Sequence, residues 1–590
     1  MTSKLLLSGN EAVARGAWEA GADVGVGYPG TPSTETLEYL SGLESVYTEW
    51  SPNEKVALEV AGGVSFAGSR VLVTMKHVGL NVAADPLLTL AYTGVNGGLV
   101  ILVADDPGMH SSQNEQDSHH YAAFAGVIML DPSTPQEAYE MTKEAFKISE
   151  ENNSVVIVRS TVRVAHTKEM VTIGDRECNP DKELQRNPSK WIMMPAYAKS
   201  ARTQRDKRLK NFAQLCSKHP FTRSEINAPE LGIICSGAVY TYVKEALPDA
   251  SILKLGITYP LPDAALKDFA SSVKRVIVAE EADNIIETQV RALGIDCEGL
   301  DCPREGELTP ERIRAALGFE TAQATPADTV VPRPPMLCSG CPHRPVFYAL
   351  KKMGAIVTGD IGCYTLGAIA PLEAIDTCVC MGASIGMAHG IEVARSMNCS
   401  AEQTTGNKSE APVVGIIGDS TFAHSGITGV INTVYNAGSG TVVILDNRIT
   451  AMTGHQGNPV NGITLQHRTT KELELEPLLR ACGVEYVRTV DPNDLAAVQE
   501  ALTEETQRDA YSVIVFRSPC ILLTKSWPAP YVCDKDACRG CQICTQLGCP
   551  AVAYDSQTRK AKIDTQGCRG CGLCAQVCPF DALKKEGDEN

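Results

Sequence analysis

Short, largely apolar runs punctuate the chain at 71–74, 98–103, 231–235, 251–255, 275–281, 413–417 and 441–445. Each is brief enough for a strand, and stretches with helical spacing separate them. Strands that are apolar throughout, alternating with helices, predict parallel sheets covered on both faces. The rhythm breaks three times. A polar, basic stretch fills 171–229 and includes a charge run at 199–210, read as a solvated connector or helix face. A proline-rich linker spans 326–335, and Trp527-Pro-Ala-Pro530 precedes a cysteine-rich tail. The expected regions are therefore 1–170, a connector 171–229, 230–325, 336–526, and a small tail at 531–590. Within the fourth region, 399–410 reads as a polar surface loop. Residues 51–67 predict a helix with Pro52 in its first turn and small residues along one side. No helical or propeller repeat is visible.

Composition narrows the class. With 44% apolar and 21% charged residues among 590, the chain has the make-up of a globular protein with several cores. A net charge of −17 argues against nucleic acid, which calls for a basic footprint. The opening residues hold too short an apolar run for a signal peptide or a membrane span, so the expectation is a cytoplasmic protein. Twenty-two cysteines in such a chain point to cluster chemistry rather than disulfides, and to an oxygen-poor setting.

Eight of those cysteines form two runs, each closed by proline. Cys538, Cys541 and Cys544 are followed by Cys549-Pro550; Cys568, Cys571 and Cys574 are followed by Cys578-Pro579. This is the spacing of a bacterial-type two-cluster ferredoxin. Three thiolates hold one 4Fe-4S cube, and the fourth cysteine of each run reaches across to the other. One cluster would take Cys538, Cys541, Cys544 and Cys578, the other Cys549, Cys568, Cys571 and Cys574. Zinc held by four cysteines is the alternative, though it does not ask for a third cysteine and a cysteine-proline pair twice over. The first run carries one extra residue before Cys549, expected to enlarge a loop.

A second constellation lies in 336–526. One apolar run leads into Gly418-Asp419-Ser420, and a second ends at Asp446-Asn447. Hard oxygen ligands at two strand ends suit a magnesium ion bridging a diphosphate, with glycine permitting close backbone approach and a helix start facing the negative charge. The bland reading is a pair of ordinary strand-end turns.

Gly418-Asp419 followed at a distance by Asn447 resembles the thiamine diphosphate signature, with Ser420 where glycine is usual. Tyr28-Pro29-Gly30-Thr31-Pro32 looks like a loop of the thiamine diphosphate-dependent 2-oxoacid:ferredoxin oxidoreductases. The stretches 8–12, 50–55, 76–84, 338–344 and 418–422 are similar to the large (alpha) subunit of the indolepyruvate branch of that family. The resemblance covers essentially the whole chain. It implies a fold of thiamine diphosphate-binding, doubly wound α/β domains plus a C-terminal two-cluster ferredoxin domain: a pyrimidine-side domain at 1–170, a transketolase C-terminal-like domain at 230–325, and a diphosphate and magnesium domain at 336–526. It implies Glu54 as the cofactor-activating acid, overriding the plainer reading of a glutamate that compensates the helix dipole. Asp419, Asn447 and the Ile449 carbonyl would hold Mg2+, with Gly418 and Ser420 beside the diphosphate, and Thr31, Lys76 and His77 would face the substrate.

Cys338, Cys341, Cys363 and Cys520 resemble the ligands of a proximal cluster in related pyruvate enzymes. Buried structural cysteines and zinc are the alternatives. The resemblance further implies oxidative decarboxylation of an arylpyruvate such as indolepyruvate, with CoA as co-substrate, electrons leaving singly to ferredoxin, and a small beta subunit as partner in a dimer of heterodimers. Another 2-oxoacid in the same reaction is the nearest rival. A non-oxidative decarboxylase or a pure electron carrier fits less well, because the eight-cysteine tail and the Glu54 and Asp419 pair are both present.

Overall fold

The computed structural model describes residues 3–177, 183, 186–321, 334–399 and 411–587. The linker expected at 326–335 and the polar loop expected at 399–410 fall almost wholly outside these. Two compact units result: Met1–Ala327 with Leu465–His467, and Asp328–Thr464 with Arg468–Asn590.

The first unit is built on a seven-stranded sheet in the order Ile257–Tyr259, Ile128–Leu130, Val156–Thr161, Leu99–Asp105, Val71–Lys76, Val24–Gly27, Tyr47–Trp50. Every pairing is parallel except that of Ile257–Tyr259. The central strands are apolar throughout because alternate residues enter different cores. Leu72, Val100 and Leu102 face one, while Val71, Val73, Ile101 and Val103 face the other. A five-stranded sheet follows, ordered Glu298–Gly299, Val276–Ala279, Ala228–Ser236, Ala250–Leu255, Thr222–Glu225.

Two expectations change. The helix begins at Glu54, not Ser51: the Asn53 side chain accepts the Val56 N–H (2.9 Å) and caps it, which leaves Pro52 outside. The basic run lies in a 22-residue helix, Pro195–Cys216, and two of its arginines are not simply solvated. Arg205 donates to the carbonyl of Ala125, at a helix C-terminus, and Arg208 to that of Ala91 (both 2.9 Å).

The second unit has a six-stranded, all-parallel sheet ordered Thr377–Cys378, Ile356–Gly359, Val413–Gly418, Thr441–Asp446, Ser512–Arg517, Tyr486–Val490. The cysteine-rich tail, with one small hairpin (Val552–Asp555 and Lys560–Ile563) and a strand pair that joins its two ends (Tyr531–Cys533 and Leu583–Lys585), shares a core with one face of this sheet. Leu547, Leu573 and Val577 pack in the same cluster as Val414, Ile416 and Leu445. Among the described residues, no helix is long and apolar enough to cross a membrane.

Candidate active site

In open parallel sheets, ligands meet the carboxyl ends of strands, and in both units the unusual side chains collect there. In the first unit, strand Val71–Lys76 ends at Lys76 and continues into the helix His77–Val82. The Glu54 carboxylate is buried against this turn. A Cβ placed on Gly79 would stand 2.5 Å from Glu54 Oε1, so only glycine leaves the acid its position. The Lys76 stem passes over Gly30, one residue before Thr31, and its Nζ donates to the Ser111 carbonyl (3.0 Å). Burial pushes the Lys76 pKa down to about 8, against the pull of Asp106 and Glu54. His77 Nε2 lies 3.2 Å from the Asn114 carbonyl. A carbonyl can only accept, so the proton is on Nε2 and Nδ1 carries the lone pair; that Nδ1 is buried without a hydrogen-bond partner. Burial also lowers the His77 pKa, keeping the ring neutral.

The loop after strand Leu99–Asp105 is wound around Asp106. That carboxylate accepts the N–H groups of His110 and Ser111 and the hydroxyl of Ser112 (2.6 Å). Burial alone would raise its pKa, but these donors and Lys76 outweigh burial and keep it ionised. Beneath the loop, buried Arg159 binds Asp105 (2.7 Å) and Asp131 (3.2 Å), bracing adjacent strand ends. His110 and His120 instead pair with Glu307 (3.3 Å) and Asp283 (3.0 Å) on the exposed side.

In the second unit, Asp419 follows strand Val413–Gly418 and opens a short helical turn. It is buried, with one oxygen on the Ser420 N–H (2.9 Å) and the other reached by Asn458 Nδ2 (3.3 Å). Burial, then the nearby charge of Asp446, push its pKa up to about 7. Asn447, at the next strand end, holds the Ile449 N–H through its side-chain oxygen (3.2 Å), and Arg448 takes a left-handed φ of 65° to turn the chain. Ser420 and Thr450 are joined by their hydroxyls (2.9 Å). Asp446 is already paired with Arg517 (2.6 Å), whereas Asp419 has no ion pair among the described residues; with Asn447 on the neighbouring strand end, the side chains offered here are oxygen donors. They fit a hard divalent cation. Asp360 organises the neighbouring turn by accepting the N–H groups of Gly382 (2.8 Å) and Ser384 (3.1 Å). Neither Asn458 nor Asp360 stands out in the sequence.

Cys338, Cys341, Cys363 and Cys520 come together next to this strand end. Cys338 and Cys363 lie near enough to Cys341, and Cys520 and Cys338 to Cys363, that ionising one thiol would oppose ionising the next. Burial is the larger cause, and the thiols are pushed up to about 12 for Cys341 and about 11 for Cys363. Such thiols become ligands only when iron supplies the compensating positive charge. The Cys520 N–H donates to the Asn447 carbonyl (3.0 Å), and His343, two residues after Cys341, lies 3.4 Å from the Asn447 amide. Burial lowers the His343 pKa to about 4, so the ring is neutral and accepts from that amide.

The tail folds around two cavities. One is lined by Cys538, Cys541, Cys544 and Cys578. The other is lined by Cys549, Cys568, Cys571 and Cys574. The extra residue before Cys549 is absorbed at Gly548, whose φ of 66° is left-handed, and Cys549 still lines the second cavity. Main-chain N–H groups point at sulfur in both, from Ala561 to Cys538 and Ala582 to Cys578 (3.4 Å), and from Tyr531 and Gly570 to Cys568 (3.5 Å).

Residues 15–227 match the model for "Pyruvate flavodoxin/ferredoxin oxidoreductase, thiamine diP-bdg", and 360–516 that for "Thiamine pyrophosphate enzyme, C-terminal TPP binding domain". Residues 561–584, spanning the second cysteine run, match the "4Fe-4S binding domain". Among curated proteins, the chain is 40% identical to an indolepyruvate oxidoreductase subunit IorA of Pyrococcus abyssi, over 99% of this chain and 97% of that protein. It is 41% identical to the subunit of the same name from Thermococcus kodakarensis, over 99% and 98%. A 2-oxoglutarate synthase subunit KorA of Methanothermobacter marburgensis matches at 26% identity over 48% of this chain and 88% of that protein.

Proposed function

The chain belongs to the family of the indolepyruvate oxidoreductase IorA subunits, thiamine diphosphate- and iron–sulfur-dependent 2-oxoacid:ferredoxin oxidoreductases, and on that premise we propose that it oxidatively decarboxylates an arylpyruvate. In this reading one indolepyruvate, one CoA and two oxidised ferredoxins give indoleacetyl-CoA, CO2, a proton and two reduced ferredoxins. The relatives are named as subunits, and the partner proposed here is a small beta subunit, in a dimer of heterodimers in the cytoplasm.

When bound, thiamine diphosphate supplies the electron sink that lets the carboxylate leave as CO2. The protein's share is position and charge. Glu54, held over Gly79, presents its carboxylate to the pyrimidine side and manages the proton there. Lys76, with a pKa of about 8, offers a cation for the 2-oxoacid carboxylate beside Thr31, and neutral His77 offers the Nδ1 lone pair as an acceptor. Asp419, Asn447 and the Ile449 carbonyl hold Mg2+, with Gly418 and Ser420 lining the diphosphate.

One observation favours the oxidative outcome. The strand end that carries Asn447 also anchors Cys520 through its carbonyl (3.0 Å), so an electron acceptor at Cys338, Cys341, Cys363 and Cys520 adjoins the cofactor's metal. Gly340 and Arg344, on either side of Cys341, lie in the wall of the second tail site, so a cluster held by Cys549, Cys568, Cys571 and Cys574 would neighbour one held by the proximal cysteines. The first tail site, with Cys541 exposed, serves as the exit to ferredoxin.

The test is anaerobic purification of the chain with its small subunit, then viologen reduction with CoA and a panel of 2-oxoacids. Indolepyruvate should be the preferred substrate. A preference for pyruvate or 2-oxoglutarate would reassign the substrate, and no reduction with any 2-oxoacid would end the oxidative reading.

A further inference from the structure

Arg344 opens the helix Arg344–Met353, and its guanidinium is buried. Its hydrogen bonds run to main-chain carbonyls in two places. On one side it reaches Leu337 and Cys338 (3.1 Å for Cys338); on the other, Leu547 and Gly548 (3.0 Å for Leu547). The first pair belongs to the segment carrying Cys338 and Cys341, and the second immediately precedes Cys549. Among the described residues Arg344 has no ion pair with a carboxylate. The groups near enough for a negative charge on them to act on it are Cys549, Cys341, Cys338 and Cys571, two from each cysteine site.

A buried guanidinium without a counter-ion costs several kcal/mol, and neutral carbonyls only partly offset that cost. The missing negative charge has an obvious source if both flanking sites hold clusters, since a cube bound by four thiolates is anionic and gains a further negative charge on reduction. A fixed cation between two such groups stabilises the reduced form of each, and net charge and hydrogen bonding are the levers by which a protein sets a cluster's potential. The first tail site lacks this neighbour, for Arg344 is absent from its wall.

We propose that Arg344 is a positioning residue shared by the proximal and second tail sites, a single buried cation that raises the reduction potential of both and fixes the gap an electron crosses between them. The inference rests on the cluster reading above. It goes beyond that reading by assigning the coupling of two sites to one side chain that ligates neither.

The experiment is an EPR-monitored redox titration of the anaerobically purified holoenzyme. Iron analysis is done first, with about twelve irons expected for three cubes, and signals are assigned by Cys541→Ser, which marks the first tail site. In Arg344→Gln the proximal and second tail clusters should become harder to reduce by about tenfold in the one-electron equilibrium, a fall of ~59 mV. The first tail cluster should stay put. Arg344→Lys, which keeps the charge but not the fork of donors, should restore the potentials to within about threefold of the unmutated protein. Unchanged potentials in Arg344→Gln with full iron would overturn the proposal. So would equal shifts in both variants, or a shift in all three clusters. If neither variant retains iron, Arg344 is an assembly residue and the proposal is likewise wrong. Fewer than about twelve irons in the unmutated protein would instead remove the cluster reading itself.

Discussion

Glu54 and Asp419 are both buried carboxylates at the start of a helical segment, one in each unit, yet their surroundings ask for different things. Glu54 has a cation, Lys76, within its electrostatic reach and rests over the bare backbone of Gly79. Asp419 has another acid, Asp446, as its leading charged neighbour, and its pKa rises to about 7. The first environment sets a cation and an open stretch of backbone beside the acid. The second, buried and beside another acid, disfavours the ionised form. The proposed roles, proton handling for Glu54 and metal holding for Asp419, follow this difference in neighbours rather than any difference between the acids.

Breaking the first member should have the largest effect. Glu54→Gln is expected to lower kcat for 2-oxoacid-dependent viologen reduction by about 10²–10⁴-fold, the range for a lost general acid or base. Bound thiamine diphosphate and iron should remain near normal; parallel loss of cofactor would mean that Glu54 only binds. Gly79→Ala tests whether the acid's position matters as much as its identity. A Cβ 2.5 Å from Oε1 must displace it, and a displacement near 1 Å costs about 10²-fold in rate. An alanine variant with normal kcat would show that the turn has room to give.

The second member makes a pH prediction. The pKa of Asp419 in the folded protein is about 7 against the ordinary carboxyl value of 3.8, so between these values the metal-free folded state holds a proton that the unfolded state has released. Stability of the metal-free protein should therefore fall as pH rises from about 4 to about 7 and level off above, with slope set by that one proton. Metal must displace the proton below about 7, so apparent Mg2+ affinity should climb by up to about tenfold per pH unit there, then flatten; Asp419→Asn should abolish the dependence. Thermal melts with and without Mg2+ across that range would report both. The smallest change is Asn458→Ala. Losing one hydrogen bond of about 1 kcal/mol should weaken Mg2+ binding about fivefold in a titration, and no change would remove Asn458 from the site.

Much of this was visible before any coordinates. Strands such as Val71–Lys76 and Thr441–Asp446 announce themselves because a strand buried on both faces must be apolar throughout. The cysteine spacing named the four sulfurs that line each tail cavity, because those ligands are mostly local in sequence. What stayed hidden depends on distance along the chain. Asn458 reaches back 39 residues to Asp419, and Arg344 reaches 203 residues ahead to Leu547, contacts that no periodicity encodes. The start of the Glu54 helix was misplaced for a local reason: Pro52 suits a first turn, but Asn53 caps better, and the cap wins. Gly79 lies in the stretch 76–84 that carries the resemblance, but its structural reason is not local: it is a carboxylate 25 residues earlier.

That glycine has a use in reading other genomes. A chain that retained the glutamate, the aspartate and every cysteine but carried alanine at the position of Gly79 would pass any inventory of reactive residues. By the geometry here, its buried glutamate would nonetheless be pushed aside, so the pair, not the glutamate alone, is the mark to search for.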